Sequence, residues 1–216
     1  MQSNIKNKDV LKEDEKQTVQ VPSWLWNIVL RCTTDNLGEK GTNTILRRSG
    51  LERYHGVIPP YDDTPSISTS EYCRYKEALV DIFGEEGARP ILIRSGRLGY
   101  KFVQENLPPS IKVAQKVLGL LPEKTKLNRA LIEFLKNYDK AMGTESLVTE
   151  SDGKVIVEML NSTSRGMKSK NPACYVEREL ISTMLQYMVG SGYEVEEICC
   201  MGMGDPVCRF EIRKVG

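Results

Sequence analysis

Apolar residues recur every three or four positions through about the first 140 residues, and this spacing predicts a run of α-helices. Glycine and proline divide the run, and the segment 56–66 is predicted to be a loop. Ser23 and Ser70 are the expected N-caps of the first and third helices, because a serine side chain can accept a hydrogen bond from a free helical N–H. The six predicted helices cover residues 23–30, 41–48, 70–83, 86–106, 111–121 and 127–138.

The pattern changes after Gly143, where apolar and polar residues begin to alternate. Four strands are predicted, at residues 147–150, 154–160, 193–201 and 207–214. A helix that begins at Cys174 and runs to about Val189 separates the two pairs of strands. Helices followed by paired strands predict an α+β fold in which helices pack on a small antiparallel sheet.

Residues 1–20 carry many charges and few apolar side chains, so we expect a flexible N-terminal tail. The remaining residues, 21–216, are enough for one domain with a substantial core. The whole chain has 30 Lys and Arg against 29 Asp and Glu, which gives no electrostatic reason to expect a nucleic-acid partner.

The cellular location can also be predicted from the sequence. No apolar run reaches the roughly 18 residues of a membrane span. The N-terminus lacks the apolar core of a signal peptide, so a cytoplasmic location is expected. In that reducing compartment the six cysteines are expected to be thiols or metal ligands rather than disulfides.

Four of the six cysteines lie near the C-terminus, at Cys174, Cys199, Cys200 and Cys208, and Glu197 lies among them. The segment 201–206 contains two glycines and an Asp-Pro pair, which favours a turn between two strands. Such a hairpin would bring Cys200 and Cys208 together. Thiolates and a carboxylate that converge on one point form a soft tetrahedral site, for which zinc is the expected ion.

Strand alternation leaves the second cysteine ligand open. In a regular strand Glu197 points to the same face as Cys199, and Cys200 points to the other face. A β-bulge near residues 198–200 would bring Glu197 and Cys200 to the same side. Cys32 and Cys73 lie in predicted helices or beside apolar residues, and we expect them to be ordinary core residues.

The order Cys174, Glu197, Cys200, glycine turn and Cys208 resembles the 4-vinyl reductase domain. That domain also occurs in the sensing part of phenol-responsive bacterial activators, where one Glu and three Cys bind zinc. The resemblance covers about the last fifth of the chain and implies Cys200 rather than Cys199 as the ligand. Cys199 is then expected in the core, and the fold is expected to resemble the subunits of the TRAPP vesicle-tethering complex.

Three thiolates and one carboxylate would fill the shell of a zinc ion, so the expected site is structural rather than catalytic. Its formal charge of −2 calls for nearby cations, and Lys168, Lys170 and Arg209 are the candidates in the sequence.

No catalytic residue is predicted. His55 is the only histidine, and neither a P-loop nor a GxGxxG motif is present. The resemblance implies a zinc-stabilised binding or accessory protein for a small hydrophobic ligand, such as a tetrapyrrole or an aromatic molecule. The alternatives are a dimeric interaction or assembly factor for photosynthetic complexes and, third, a vinyl reductase of the chlorophyll pathway.

A homodimer is expected on two grounds. The resemblance suggests one, and Trp24, Trp26 and Ile28 form an apolar segment that could exceed what the core needs.

Overall fold

The computed structural model describes residues 20–151 and 153–215. The tail predicted for residues 1–20 therefore lies outside the described residues, apart from Gln20. The described chain begins with a short strand, β1 (Gln20–Pro22), which pairs antiparallel with β2 (Pro65–Ser68). Both strands are too short to produce the alternation from which a strand can be predicted, and β2 begins within the predicted loop.

Two long helices pack against each other at the start of the fold, α1 (Ser23–Ser49) and α2 (Thr69–Glu105). Each is interrupted by one non-helical glycine, Gly38 with φ 69° and Gly84 with φ 70°. These left-handed values favour glycine, since a side chain would be strained there. The four helices predicted in this part of the chain are thus present as two kinked pairs.

The two predicted serine caps are wrong. Pro22 occupies the cap position of α1 and makes no side-chain hydrogen bond, whereas Ser68 caps α2. The Ser68 hydroxyl accepts from the Glu71 N–H at 3.3 Å, and the Glu71 carboxylate accepts from the Ser68 N–H at 2.9 Å. A serine with a glutamate three residues later forms a capping box, which satisfies two free N–H groups instead of one.

The three later helices agree with the predicted ones. They are α3 (Pro109–Leu118), α4 (Glu123–Met142) and α5 (Tyr175–Met188). Cys174 was predicted to begin the last of them and lies one residue before it. None of the described helices is long and apolar enough to cross a lipid bilayer.

The four predicted strands form one antiparallel sheet in the order β3-β4-β6-β5. The prediction of helices combined with a small antiparallel sheet is confirmed. Buried side chains from the two central strands, such as Val157 and Phe210, face the core. The strands are β3 (Ser146–Ser151), β4 (Lys154–Met159), β5 (Tyr193–Cys199) and β6 (Cys208–Lys214).

Trp24, Trp26 and Ile28 are all buried in the core. Trp26 lies against the rings of Tyr72 and Tyr75, with centroids 6.4 Å and 4.7 Å away. The expectation that this segment has apolar surface to spare is therefore wrong. The homodimer stays a prediction, but this segment no longer supports it.

Candidate metal centre and ligand cavity

The structure brings the side chains of Cys174, Glu197, Cys200 and Cys208 together, and all four are buried. One candidate ligand atom from each lies within 4.8 Å of the others. The Cys174 sulfur is 3.4 Å from that of Cys208 and 4.0 Å from that of Cys200. Sulfurs that share a tetrahedral zinc ion, with Zn–S distances of about 2.3 Å, lie roughly 3.8 Å apart. The cluster therefore has the dimensions of a tetrahedral site.

A β-bulge in β5 aligns Glu197 with Cys200. Glu197 lies opposite Phe210 and Cys199 lies opposite Arg209, so Ile198 is an extra residue between the two pairs. The bulge predicted at this position is confirmed. Cys199 is only partly buried, with its sulfur 3.9 Å from the Arg209 guanidinium, so the expectation that it lies in the core is wrong.

The connection from β5 to β6 contains one turn of 3₁₀-helix, Met201–Met203. The Cys200 N–H donates to the Asp205 carboxylate at 2.8 Å, which holds the two ends of the connection together. The Met201 N–H points at the Cys208 sulfur, 3.2 Å away. A backbone N–H directed at a sulfur favours the thiolate form, which is the form that binds metal.

Glu197 has one carboxylate oxygen in use and one free. Oε2 accepts a hydrogen bond from the Cys174 N–H at 2.9 Å, whereas Oε1 is buried and has no hydrogen-bond partner among the described residues. Burial raises the pKa of Glu197 to about 8. An unpartnered carboxylate oxygen beside three sulfurs is costly unless a cation binds there, so the donor set fits a metal ion.

The three thiols of the cluster affect one another strongly. Hydrogen bonds from Cys174, and then from Cys200, lower the pKa of Cys208 to about 4. Hydrogen bonds with Cys200, and then with Cys208, raise the pKa of Cys174 well above its ordinary value. Without a cation, the first thiolate to form thus opposes the next. A divalent ion would remove this conflict by binding all three as thiolates.

The cations expected beside the cluster are elsewhere. Lys168 and Lys170 are exposed, and Arg209 forms an ion pair with Glu158 at 2.6 Å. Among the described residues, the buried cation is Lys76 of α2, whose side chain lies in the core at 1% exposure. Surface lysines keep their hydration shell, whereas a buried ammonium group needs hydrogen-bond acceptors or negative charges within the protein to offset the lost hydration.

Lys76 connects to the cluster through a serine. Its ammonium donates to the Ser164 hydroxyl at 2.9 Å, and that hydroxyl lies 3.2 Å from the Cys174 sulfur. Burial lowers the pKa of Lys76, but its interaction with the Glu177 carboxylate, followed by those with the sulfurs of Cys73 and Cys174, outweighs burial and raises the pKa above its ordinary value. Lys76 is thus placed to offset negative charge at the cluster.

The sequence contained a signal for Lys76 that was missed. Tyr72, Lys76 and Leu79 follow the spacing of one helix face, and their neighbours on that face are buried. A lysine within an apolar stripe predicts a buried positive charge with a hydrogen-bond acceptor or a negative charge nearby. The chain contains no sequence pattern that would identify Ser164 as the connecting residue.

A second feature lies among the helices, where a cavity of about 670 Å³ is bounded by the C-terminal part of α2 and by α3, α4 and α5. Most of its lining is apolar. Its polar residues include Gln104, whose amide donates to the Tyr100 hydroxyl at 2.7 Å. A volume of this size with few polar groups is typical of sites for small molecules. Apolar residues that line it are Val103, Leu107, Ile111, Leu118, Phe134 and Met184.

A smaller cavity of about 310 Å³ shares Val103, Leu107, Phe134 and Asn137 with the larger one. Trp24, Phe102 and Tyr138 lie on its wall, and the Trp24 and Phe102 rings are stacked with centroids 5.2 Å apart. His55 lies on neither wall, and its Nε2 is 3.2 Å from the Asn43 carbonyl oxygen.

Residues 156–214 match the family model of the 4-vinyl reductase domain, the domain suggested by the sequence. This segment includes Cys174, Glu197, Cys200 and Cys208, so the resemblance is confirmed for the part of the chain that carries those residues. No curated protein matches the chain.

Solved structures with the same fold include two H-NOX proteins. The one from S. oneidensis in the Fe(II)NO state aligns with a TM-score of 0.58 at 11% identity, covering 91% of this chain and 100% of that chain. The unliganded Fe(II) protein from K. algicida gives 0.59 at 14% identity, covering 91% and 97%. The chain therefore has an H-NOX-like fold. Likeness to the TRAPP subunits stays a prediction.

The phenol-responsive sensory domain of the transcription activator PoxR, solved with phenol, is also similar. It aligns with a TM-score of 0.47 at 20% identity, over 68% of this chain and 74% of that chain.

Proposed function

We propose that this protein binds a small hydrophobic molecule in the cavity bounded by α2, α3, α4 and α5, and that a zinc ion stabilises its C-terminal part. The observation that carries the proposal is the apolar cavity of about 670 Å³. Its size and lining fit a ligand with a large apolar surface and few polar groups, such as a tetrapyrrole or an aromatic molecule.

The fold supports ligand binding without identifying the ligand. Related folds have been solved as iron-containing H-NOX proteins, a family also studied for heme distortion. No histidine is among the described residues that line the cavity, so an iron tetrapyrrole there would lack a histidine ligand. The ligand we propose is held mainly by its apolar surface.

The proposed zinc ion would be held by Cys174, Glu197, Cys200 and Cys208. Four protein ligands leave no open position for a substrate, so the ion would have a structural role. It would tie the start of α5 to the bulge in β5 and the beginning of β6. No feature of the described residues favours the assembly-factor or reductase alternatives.

The ligand proposal can be tested by titration with protoporphyrin IX and with an anilinonaphthalene sulfonate, read through tryptophan fluorescence. Ala130 is buried and lines the cavity, so Ala130→Phe should fill part of it. We expect saturable binding by the wild type and a loss of at least about tenfold in the variant, equivalent to about 1.4 kcal/mol. Leu147→Phe adds a similar ring on an exposed position of β3 and should bind as the wild type does.

Equal binding by all three proteins would place the probes outside this cavity and contradict the proposal. If neither probe binds, native mass spectrometry of the freshly purified protein decides the question. A bound small molecule that is absent from Ala130→Phe would support the proposal, and its absence from the wild type would contradict it.

A further inference from the structure

Helix α3 lies on the surface with an apolar face that nothing in the described structure covers. None of its described side chains is fully buried, and its main neighbour is α4. Val113 is 61% exposed, Val117 is 59% exposed and Leu120, just beyond the helix, is 86% exposed. Single exposed apolar residues are common, but three on one short element form a patch.

Val113 and Val117 lie on one side of the helix because they are four positions apart. The turn that follows places Leu120 next to them, since the Leu120 N–H donates to the Val117 carbonyl oxygen at 3.1 Å. Lys112 and Lys116 each precede one of the valines, which places both lysines along one edge of the apolar stripe. We call these five residues the α3 face. Apolar residues with lysines along one edge are the pattern of a helix that lies at a membrane surface.

The lysines of the α3 face keep their charge available. Lys112 donates to the Glu105 backbone carbonyl oxygen at 3.3 Å, and neither lysine forms an ion pair within the part of the chain that the structure describes. The surrounding segment 109–142 has seven Lys or Arg against three Asp or Glu. This local excess contrasts with the near-neutral whole chain and favours an anionic partner.

We propose that the α3 face binds the surface of an anionic lipid membrane. Val113, Val117 and Leu120 would enter the boundary between headgroups and acyl chains, and the lysine side chains would extend to the headgroup phosphates. The apolar stripe would lose its contact with water on entering the lipid, and the lysines would be attracted to the anionic headgroups. Both features of the α3 face therefore favour binding to an anionic membrane.

A second copy of the chain fits the α3 face less well. In a two-fold contact the same surface meets itself, which would bring Lys112 and Lys116 near their own counterparts. The helix has ten residues and is about 15 Å long and about 10 Å wide. A stable protein contact needs roughly 800 Å² on each partner, which is more than this face offers.

The location also connects with the cavity, since Val117 is on the wall of the cavity as well as on the α3 face. A membrane-bound α3 would therefore place the cavity beside the lipid. The inference itself rests on exposure and charge rather than on ligand binding. Its test uses protein without added ligand, so the two proposals can fail separately.

The test is co-sedimentation of the full chain with phosphatidylcholine vesicles that contain a minority of phosphatidylglycerol, compared with pure phosphatidylcholine. We expect binding to the anionic vesicles, weakened by high salt because screening reduces the lysine contribution. Val117→Asp should reduce binding at least about tenfold, because it places a charge where the stripe enters the lipid. Lys116→Gln should reduce it about fivefold.

Val57→Asp is the matched control, because Val57 is 51% exposed but lies in a loop away from α3. It should bind as the wild type does. Far-ultraviolet circular dichroism checks that each variant is folded. If Val117→Asp does not fold, the binding measured for Lys116→Gln still tests the proposal.

Three results would overturn the proposal. The wild type could fail to bind anionic vesicles, or Val57→Asp could lose as much binding as Val117→Asp. Alternatively, the protein could sediment as a dimer that Val117→Asp dissociates, with no vesicle binding. That last result would assign the α3 face to a second copy of the chain.

Discussion

The cysteine cluster and helix α3 differ in which side chains they bury and which they expose to solvent. Around the cluster, charged and polar side chains such as Lys76, Ser164 and Glu197 are buried among apolar residues. On α3, apolar side chains are exposed beside lysines, and no described side chain is fully buried. On the two proposals above, the cluster would stabilise the fold, whereas α3 would bind a surface outside the protein.

Each arrangement has its own energetic cost. Buried charges lose hydration and must be offset by hydrogen bonds and opposite charges. Exposed valines and leucine cost little in the folded chain but keep apolar surface in water until a partner covers it. Substitutions near the cluster should therefore change stability strongly, and substitutions on the α3 side should change binding.

The largest effect is expected from loss of the metal centre. Cys208→Ser and Cys200→Ser should each abolish the one zinc ion per chain that we expect, because a serine hydroxyl replaces a thiolate ligand. Since binding to thiolates is coupled to folding, the loss should lower the free energy of unfolding by up to roughly 10 kcal/mol, and by less in a chain with its own core. Native mass spectrometry and thermal unfolding, with and without chelator, measure both effects.

The other cysteines provide matched controls. Cys32→Ser and Cys73→Ser should retain the metal, since both residues lie outside the cluster. Cys199→Ser is the most informative control because Cys199 is next to a proposed ligand. If Cys199→Ser lost the zinc while Cys200→Ser kept it, the assignment of Cys200 would be wrong. If the wild type contained no metal after purification under reducing conditions without chelator, the whole site would be contradicted.

The second effect concerns Lys76. Lys76→Met keeps an unbranched side chain one atom shorter but removes a buried positive charge, which should lower the free energy of unfolding by about 3 kcal/mol. The penalty should be larger with zinc than after chelation, because the zinc-bound cluster holds three thiolates. Chemical denaturation in both conditions measures it.

Glu177 provides the competing explanation, because its charge is the largest that raises the pKa of Lys76. If the penalty of Lys76→Met were the same with and without zinc and were cancelled by adding Glu177→Gln, Lys76 would serve Glu177 rather than the metal centre. Arg209→Met removes a partly exposed ion pair and should change stability by less than about 1 kcal/mol.

The grouping of Cys174, Glu197, Cys200 and Cys208 was predictable because metal chemistry limits both residue type and spacing. Thiols and a carboxylate near one turn are unusual enough to be noticed, and the bulge followed from the need to align Glu197 with Cys200. Strand alternation alone could not choose between Cys199 and Cys200. That choice needed the resemblance to the 4-vinyl reductase domain. A bulge changes the face of the sheet to which the following side chains point, but it leaves no unique pattern in a single sequence.

Other features depend on contacts between distant segments. Lys76 and Ser164 are 88 positions apart, so no local pattern connects them. The cavity is formed by four helices, and each contributes a face that looks like ordinary core. The cap of α2 was misplaced for a local reason, because Ser68 and Ser70 are both suitable and only the glutamate at position 71 favours Ser68.

The third effect tests how tightly α2 packs against α5 near the cluster. A Cβ atom at Gly96 would lie 2.5 Å from the Val176 carbonyl oxygen and 2.8 Å from the Glu179 Cβ. Gly96→Ala must therefore push α5 away from α2, and overpacking of this kind costs about 1–3 kcal/mol. Thermal unfolding measures the cost, and metal content should fall as well because Cys174 immediately precedes α5.

Gly87→Ala is the control for Gly96→Ala. Its new Cβ would contact only Phe83 of the same helix, at 3.1 Å, and alanine favours a helix over glycine. We expect Gly87→Ala to cost clearly less than Gly96→Ala, because Phe83 is partly exposed and needs to shift by only a few tenths of an ångström. Equal destabilisation by both variants would mean that the helix itself, rather than its contact with α5, determines the cost.

The smallest effect on stability is expected for Ala130→Phe, at the cavity that α3 bounds. Like Gly96→Ala, this substitution enlarges a buried residue. Ala130→Phe places a ring beside a cavity of about 670 Å³, so most of the added volume can be accommodated there. The apolar area that it buries offsets the rearrangement of neighbouring side chains, and we expect the free energy of unfolding to change by less than about 1 kcal/mol. Urea denaturation of the ligand-free protein measures this change. A loss as large as that of Gly96→Ala would mean that the cavity walls are as tightly fixed as the cluster, and the contrast between the two regions would then be wrong.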